Sequence, residues 1–318
     1  MALNTIAYAE ILQTALDKKA VADLTSGFMD ANAGQVIYEG GKSIKIPKMS
    51  MTGLMDYDRD DGYTKGSVTL EYETKTMTMD RGTGFQLDSQ DVNESNFIAN
   101  ASTVAGEFQR TQVVPEVDAY RYSRIATLAA AYATSYAVDP LTVFDVLMDD
   151  ITKVRDIVGE NEEIVVSING LVKGQIEKLK NFEKVVSIGD FSAGEIITKV
   201  NKINNAFLLP VPSARMKDAY IFADGKTDGQ KEGGFKPAED AKQINWIIMP
   251  KRAAIAVCKQ DKIKIFDPDT YQKADAWFIG YRKYHELWIK DNMLETVRPN
   301  IQPAATTTQT PPSTGTEG

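Results

Sequence analysis

Residues 56–63 read DYDRDDGY. Asp56, Asp58 and Asp60 alternate as ligands do in an oxygen-rich calcium loop, and Gly62 follows them. An EF-hand loop in that register needs glycine at its sixth position for the sharp turn and glutamate at its twelfth for bidentate ligation. Asp61 and Ser67 occupy those places. Moving Gly62 to the sixth position makes Tyr57 and Arg59 the leading ligands, which is worse. The run therefore reads as the hydrated tip of a long hairpin. Asp56, Asp58 and Asp60 are the metal candidates should the tip bind an ion.

The flanks support the hairpin, because their apolar period is two. Val36 and Tyr38 alternate before a turn at Gly40–Gly41, and Ile44 and Ile46 share a face after it. Beyond the acids come Val68, Leu70 and Tyr72, then Met77 and Met79, then Phe85 and Leu87. Parity switches between Tyr72 and Met77, which predicts a bulge or a change of exposed face. Alternation of this kind marks a ribbon with at least one solvated side.

Outside the ribbon the period is mostly helical. Tyr8, Ile11, Leu12, Ala15 and Leu16 give an amphipathic helix over 4–24, a first segment that needs something to lie on. GFMDANAG reads as a connector. A helix is expected at about 94–113, and Pro115 starts a second with Val117, Tyr120, Ile125, Leu128 and Tyr132 as its apolar stripe. Asp139–Pro140 is a start signal for a helix carrying Phe144, Leu147, Met148, Ile151 and Val154. Residues 162–168 form a buried-type strand, 171–182 a helix, and 195–204 another helix. AFLLPVPSA, DAYIFADG, INWIIMPKRAAIAVCK and KIKIF are strands around a polar loop at 224–243. The run 269–290 starts helical and ends as a strand. The Pro- and Thr-rich segment after Arg298 buries too little apolar surface to offset its ordering entropy and reads as a disordered tail.

Composition bounds the function. The chain has 318 residues, 43% apolar and 25% charged, enough for one large or two ordinary globular domains. A net charge of −8 argues against a general nucleic-acid binder. The lone Cys258 excludes an internal disulfide and reads as a small buried hydrophobe. No apolar run approaches the ~20 residues of a membrane helix. The first residues lack the basic start and apolar stretch of a secretory signal, so the sequons at Asn93 and Asn100 carry little meaning.

Chemistry is hard to find. Gly40–Gly41–Lys42–Ser43 ends like a phosphate-binding loop, but Val36 stands where the first glycine belongs and a strand follows, so no helix N-terminus faces a phosphate. Gly82 and Gly84 lack the third glycine of a dinucleotide fingerprint. His285 is the only histidine and sits in the aromatic run YRKYHELWI, which reads as packing. No basic stripe accompanies the aromatics Trp277, Phe278, Tyr281, Tyr284 and Trp288, which suits core and interface anchors better than a stacking platform. No catalytic residue and no cofactor site is expected.

The order of parts, together with VVPEVDAYRYSRIA (113–126), LLPVPSARM (208–216), INWIIMPKRAAIAV (244–257) and the run from KIKIFDP through ADAWFIGYRKYHELWI to DNMLETV, resembles the major capsid proteins of tailed bacteriophages, whose fold is shared with encapsulin nanocompartments. The resemblance covers roughly 1–299. It implies an α+β chain with an N-terminal arm (1–33), an extended β-hairpin loop (48–88), a peripheral domain with a long spine helix (34–47, 89–137 and 256–299), a mixed α/β axial domain (138–255) and a tail (300–318). It implies a non-enzyme that self-assembles as hexamers and pentamers into an icosahedral shell around double-stranded DNA. The DNA would be contacted non-specifically, with a portal at one vertex and no membrane. Assembly would take place in the host cytoplasm, and the product would be a virion capsid. About 30 residues precede the first strand, so a separate scaffolding protein is expected. The implied intersubunit contacts are Asp56, Asp58, Arg59, Asp60, Asp61 and Lys65 on the ribbon and Tyr8 and Ile11 on the arm. Some members of the family cross-link through a lysine on the ribbon, and Lys65 is placed suggestively, but a solvated lysine explains it better. An encapsulin-type shell around an enzyme cargo, and a calcium-binding or carbohydrate-acting β-rich protein, are the rival readings.

Overall fold

The computed structural model describes residues 24–60, 62–88, 104–179, 186–193 and 196–304. The helix read at 4–24 therefore lies outside the described residues, Leu24 excepted. The connector after it is a run of 3-10 helix, Gly27–Gln35.

Strands β1 (Ile37–Gly40), β2 (Ser43–Met51) and β3 (Val68–Thr76) form an antiparallel ribbon. Gly40 and Gly41 make the first turn with φ of +99° and +55°, the left-handed region where a Cβ is unfavourable. In the second hairpin β2 and β3 pair residue for residue from Ser43↔Thr76 to Met51↔Val68. The parity switch after Tyr72 is a change of sheet, not a bulge. Met77 is buried at the crossing, and β4 (Met79–Asp88) joins β13 (Ala254–Phe266) and β14 (Ala276–Ile289) in the order β13-β14-β4. The stretch 48–88 is thus shared between the ribbon and a sheet of the body.

Residues 104–128 run helically. A π-helical turn, Gln109–Val113, precedes α1 (Val114–Leu128). Pro115 lacks an N–H and crowds the carbonyl four residues earlier, and the wider π turn relieves that conflict. One nearly continuous helix thus replaces the start read at Pro115. After β5 (Thr134–Ser135), the Asp139 carboxylate accepts from the Leu141 N–H at 2.9 Å and leads into α2 (Val143–Val158). Then come β6 (Ile164–Asn169) and α3 (Gly170–Ile176), whose N-cap Asn169 accepts from the Leu171 N–H.

The chain continues through β7 (Val186–Ala193), β8 (Ile196–Ile203), β9 (Ala206–Val211), β10 (Tyr220–Phe222), β11 (Phe235–Pro237), β12 (Ile244–Pro250) and, after the β13–β14 hairpin, β15 (Arg298–Ile301). A seven-stranded mixed sheet has the order β5-β15-β12-β6-β9-β8-β7. Its central strands β6 and β12 are buried throughout and alternate between two cores. Val165, Ile247 and Met249 face α1 and the 3-10 segment, where Phe28, Met29, Tyr122 and Ile125 pack. Ile164, Val166, Trp246 and Ile248 face α2 through Leu147, Ile151 and Val154.

Three expectations change. Residues 196–203 are strand, not helix. Ile196, Ile197, Thr198, Val200 and Ile203 are β-branched, and Asn204 and Asn205 adopt φ of 45° and 60°, so they turn β8 tightly into β9. Residues 269–275 are turns, and β14 is strand from Ala276 onward. Asn300 and Ile301, read as tail, belong to β15. The Asn300 amide donates to the Asp150 carboxylate at 3.2 Å and to Thr134 Oγ1 at 2.9 Å, and accepts from Asn245 at 2.8 Å. These buried partners order a segment whose composition alone would not.

Candidate assembly interface

The ribbon is built to be exposed. Leu54 at its tip is 105% exposed and Tyr63 90%, and Met51, Tyr57, Val68, Leu70 and Tyr72 are also exposed. Val68, Leu70 and Tyr72 therefore reach no core of their own chain. A monomeric protein rarely leaves so large an apolar surface uncovered.

The acidic tip is a turn. Asp58 and Gly62 exchange backbone hydrogen bonds of 3.2 and 2.8 Å, Gly62 has φ +83°, and the Asp60 N–H donates to Asp58 Oδ1 at 2.8 Å. Tyr57 and Tyr63 meet edge to face at 5.1 Å across it. Asp56, Asp58, Arg59, Asp60 and Lys65 are all exposed, and Asp61, Tyr8 and Ile11 lie outside the described residues. Among the described residues no three His, Cys, Asp or Glu side chains come together to hold a metal.

The ribbon's root is held tightly. The Glu286 carboxylate, 1% exposed, accepts from the Thr78 N–H at 3.0 Å, from Thr78 Oγ1 at 2.6 Å and from the Leu287 N–H at 3.2 Å, and also from the Tyr120 hydroxyl of α1. Burial, with Glu286 beside it, raises the Tyr120 phenol well above its ordinary value. The Tyr284 hydroxyl donates to the Met77 carbonyl at 3.1 Å. A second clamp holds the segment before the 3-10 run. Buried Asp118 accepts from the N–H and hydroxyl of both Thr25 and Ser26 at 2.6–3.2 Å and from Arg215 at 3.0 Å. Arg121, one turn on, donates to Asp30 at 2.6 and 3.0 Å. Local patterning missed both clamps, because the apolar stripe of α1 draws attention away from its charged neighbours. The available signal was Asp118 and Arg121, opposite charges three residues apart among the apolar residues of that helix.

No protein-family model matches this sequence, and no curated protein does. Solved structures do. The capsid of the cyanophage P-SCSP1u superposes with a TM-score of 0.56 at 12% identity, over 85% of this chain and 86% of that one. The mature capsid of bacteriophage PhiM1 gives 0.54 at 14% identity, over 84% and 83%. The chain has the tailed-phage capsid fold. A virus-like particle from Pyrococcus furiosus shares it at a TM-score of 0.51 and 12% identity, over 92% of this chain and 99% of that one. The α+β class agrees with this fold, and the hairpin reading of DYDRDDGY agrees with the pairing of β2 and β3 on either side of it.

Two residues singled out by rarity find places in the capsid fold. His285 is packed, 1% exposed, against Tyr120 at 5.4 Å, and its Nδ1 has no hydrogen-bond partner among the described residues. Burial, reinforced by Arg121, Lys283 and Arg81, holds its pKa well below 6.5. The folded imidazole stays neutral where the unfolded one gains a proton, so the folded state loses stability as pH falls through about 6.5. The loss is about 1.4 kcal/mol per pH unit until the folded-state value is reached. His285→Phe is expected to remove that slope from the urea midpoint between pH 6.5 and 5, and an unchanged slope would reject the assignment. Cys258 is exposed, contrary to the buried-hydrophobe reading, because the β13–β14 register shifts between Cys258 and Gln260 and turns it outward. Desolvation by the surrounding chain still raises its thiol to about 11, so little reactive thiolate forms near neutrality.

Proposed function

We propose that this chain is the major capsid protein of a tailed phage, assembling as hexamers and pentamers into an icosahedral shell around double-stranded DNA. The observation that carries the proposal is the ribbon: two fully paired nine-residue strands whose root packs on the body through Ile44 and Ile46 and whose outer half leaves Met49, Met51, Val68 and Leu70 exposed. Copies arranged head to tail in a closed ring would each cover a neighbour's ribbon, which is how a heterologous contact terminates. Many modest contacts of this kind add up to the large buried area a shell needs. The acidic balance suits a wall that tolerates packed DNA without gripping it. A scaffolding protein, a portal at one vertex and assembly in the host cytoplasm belong to the same reading. An encapsulin-type shell would use the same contacts and differ in enclosing an enzyme.

Electron microscopy of the expressed protein, alone and with its scaffold, tests the proposal. Closed shells or hexameric and pentameric rings are expected. A protein that stays monomeric in both preparations would sink it.

A further inference from the structure

The inner face of the sheet β13-β14-β4 changes character along its length. At one end Ile279 lies opposite Phe85 and Tyr281 opposite Thr83. Phe108, from the helical run before α1, meets Phe85 edge to face at 5.0 Å and Tyr281 at 5.8 Å. One row further on, Lys283 lies opposite Arg81, and His285 follows. Lys283 is 8% exposed and His285 1%, so these polar groups are buried. Between this face and the helical run lies a cavity of about 710 Å³, within the size range of small-molecule sites.

Arg81 ties the walls of the cavity together. Its guanidinium donates to the Glu116 carboxylate of α1 at 2.7 and 3.2 Å, and to the carbonyls of Ala223 and Gly234, the latter at 3.1 Å. The Ala223 N–H donates to the same Gly234 carbonyl at 2.9 Å, which closes the loop 224–233 at its base and sets it as a further wall. Each cation lining the cavity is already matched: Arg81 by Glu116, Lys283 by Asp261 and Lys231 by Asp228. An anion gains little there, and the buried end penalises any charged guest. What the cavity offers is an aromatic wall and a hydrogen-bonding end. His285 lines that end, is neutral, and has an Nδ1 without a hydrogen-bond partner among the described residues. A neutral imidazole carries one acceptor nitrogen, which an O–H can fill.

We infer that this cavity is a binding site for a small uncharged hydroxyaryl compound, its ring against Phe85, Phe108 and Tyr281 and its O–H donated to the His285 imidazole. The inference goes beyond the shell reading and does not depend on it. The ring edges and faces of the three aromatics favour a planar guest. A buried acceptor selects for a donor, because a guest without one leaves it unpaired. Arg81 holds helix, sheet and loop in place beforehand, so binding needs little further ordering.

Equilibrium dialysis of the full-length chain against 2-naphthol, which is uncharged at neutral pH, tests the inference. One molecule per chain should bind, with a Kd of about 0.1–1 mM for so small a guest. 2-Methoxynaphthalene has nearly the same shape but no O–H and should bind about tenfold more weakly or worse. The charged 2-naphthoate should also bind more weakly than the naphthol. Thr83→Trp, which adds a ring from an exposed position in the cavity wall, should abolish binding with circular dichroism unchanged. His285→Phe should remove the preference for the naphthol over its methyl ether while leaving the ether's own affinity as it was. No saturable binding, equal binding of the naphthol and its ether to the wild type, or tighter binding of the naphthoate would each overturn the inference. Binding that survives in a folded Thr83→Trp variant would place the guest elsewhere and overturn it too. The comparison of the three guests uses the wild-type protein, so it decides the matter even where a variant fails to fold.

Discussion

Removing residues 54–66 is expected to leave a folded, soluble protein that forms no shells. Thr52 and Ser67 already pair, with the Thr52 N–H donating to the Ser67 carbonyl at 3.1 Å, and Met51 faces Val68. Joining Gly53 to Ser67 closes β2 and β3 through three residues, a common hairpin length. The described side chains removed are exposed or half-exposed and contribute to none of the hydrophobic clusters. Stability in urea should therefore change by no more than about 0.5 kcal/mol, as for other surface changes. Assembly should be lost entirely, because Leu54, Met55, Tyr57 and Tyr63 leave together with the acids. Loss of folding on this deletion would show that the tip supports its own body, and shells of normal size would show that the ribbon joins nothing.

Asp118→Ala should have the largest effect on stability. The carboxylate is fully buried and accepts five hydrogen bonds, from Thr25, Ser26 and Arg215. Alanine leaves those donors without an acceptor and strips Arg215 of its counter-charge. Breaking a buried pair from one side costs about 3–5 kcal/mol, much more than the pair's net worth, because the remaining groups stay desolvated. The urea midpoint should fall accordingly, and the 24–30 segment should exchange its amide hydrogens faster than β6 and β12. Asp118→Asn keeps one acceptor oxygen and should lose less. A midpoint within experimental error of wild type for Asp118→Ala would mean that the clamp holds little.

Much of the fold could be read locally. Ile44, Ile46, Val68, Leu70 and Tyr72 encode their strands by period two, and Leu147, Ile151 and Val154 encode α2 by its helical stripe, because side-chain direction follows from backbone geometry within a few residues. The failure of the calcium register at Asp61 and Ser67 was equally local, and it turned DYDRDDGY into a turn. Residues 196–203 were misread because their apolar spacing fits both periods. The Asn204–Asn205 turn and the pairing of Ile203 with Ala206 decide between them.

The sequence by itself determined the class, the projecting ribbon with its acidic tip, and the absence of any motif that spells out a reaction. Only the tertiary structure decided what holds the ribbon. Thr25 meets Asp118 across 93 residues, Thr78 meets Glu286 across 208, and Asn300 finds Asp150 across 150. Such contacts leave no periodic trace, because each partner is a polar residue whose burial depends on a distant donor or acceptor.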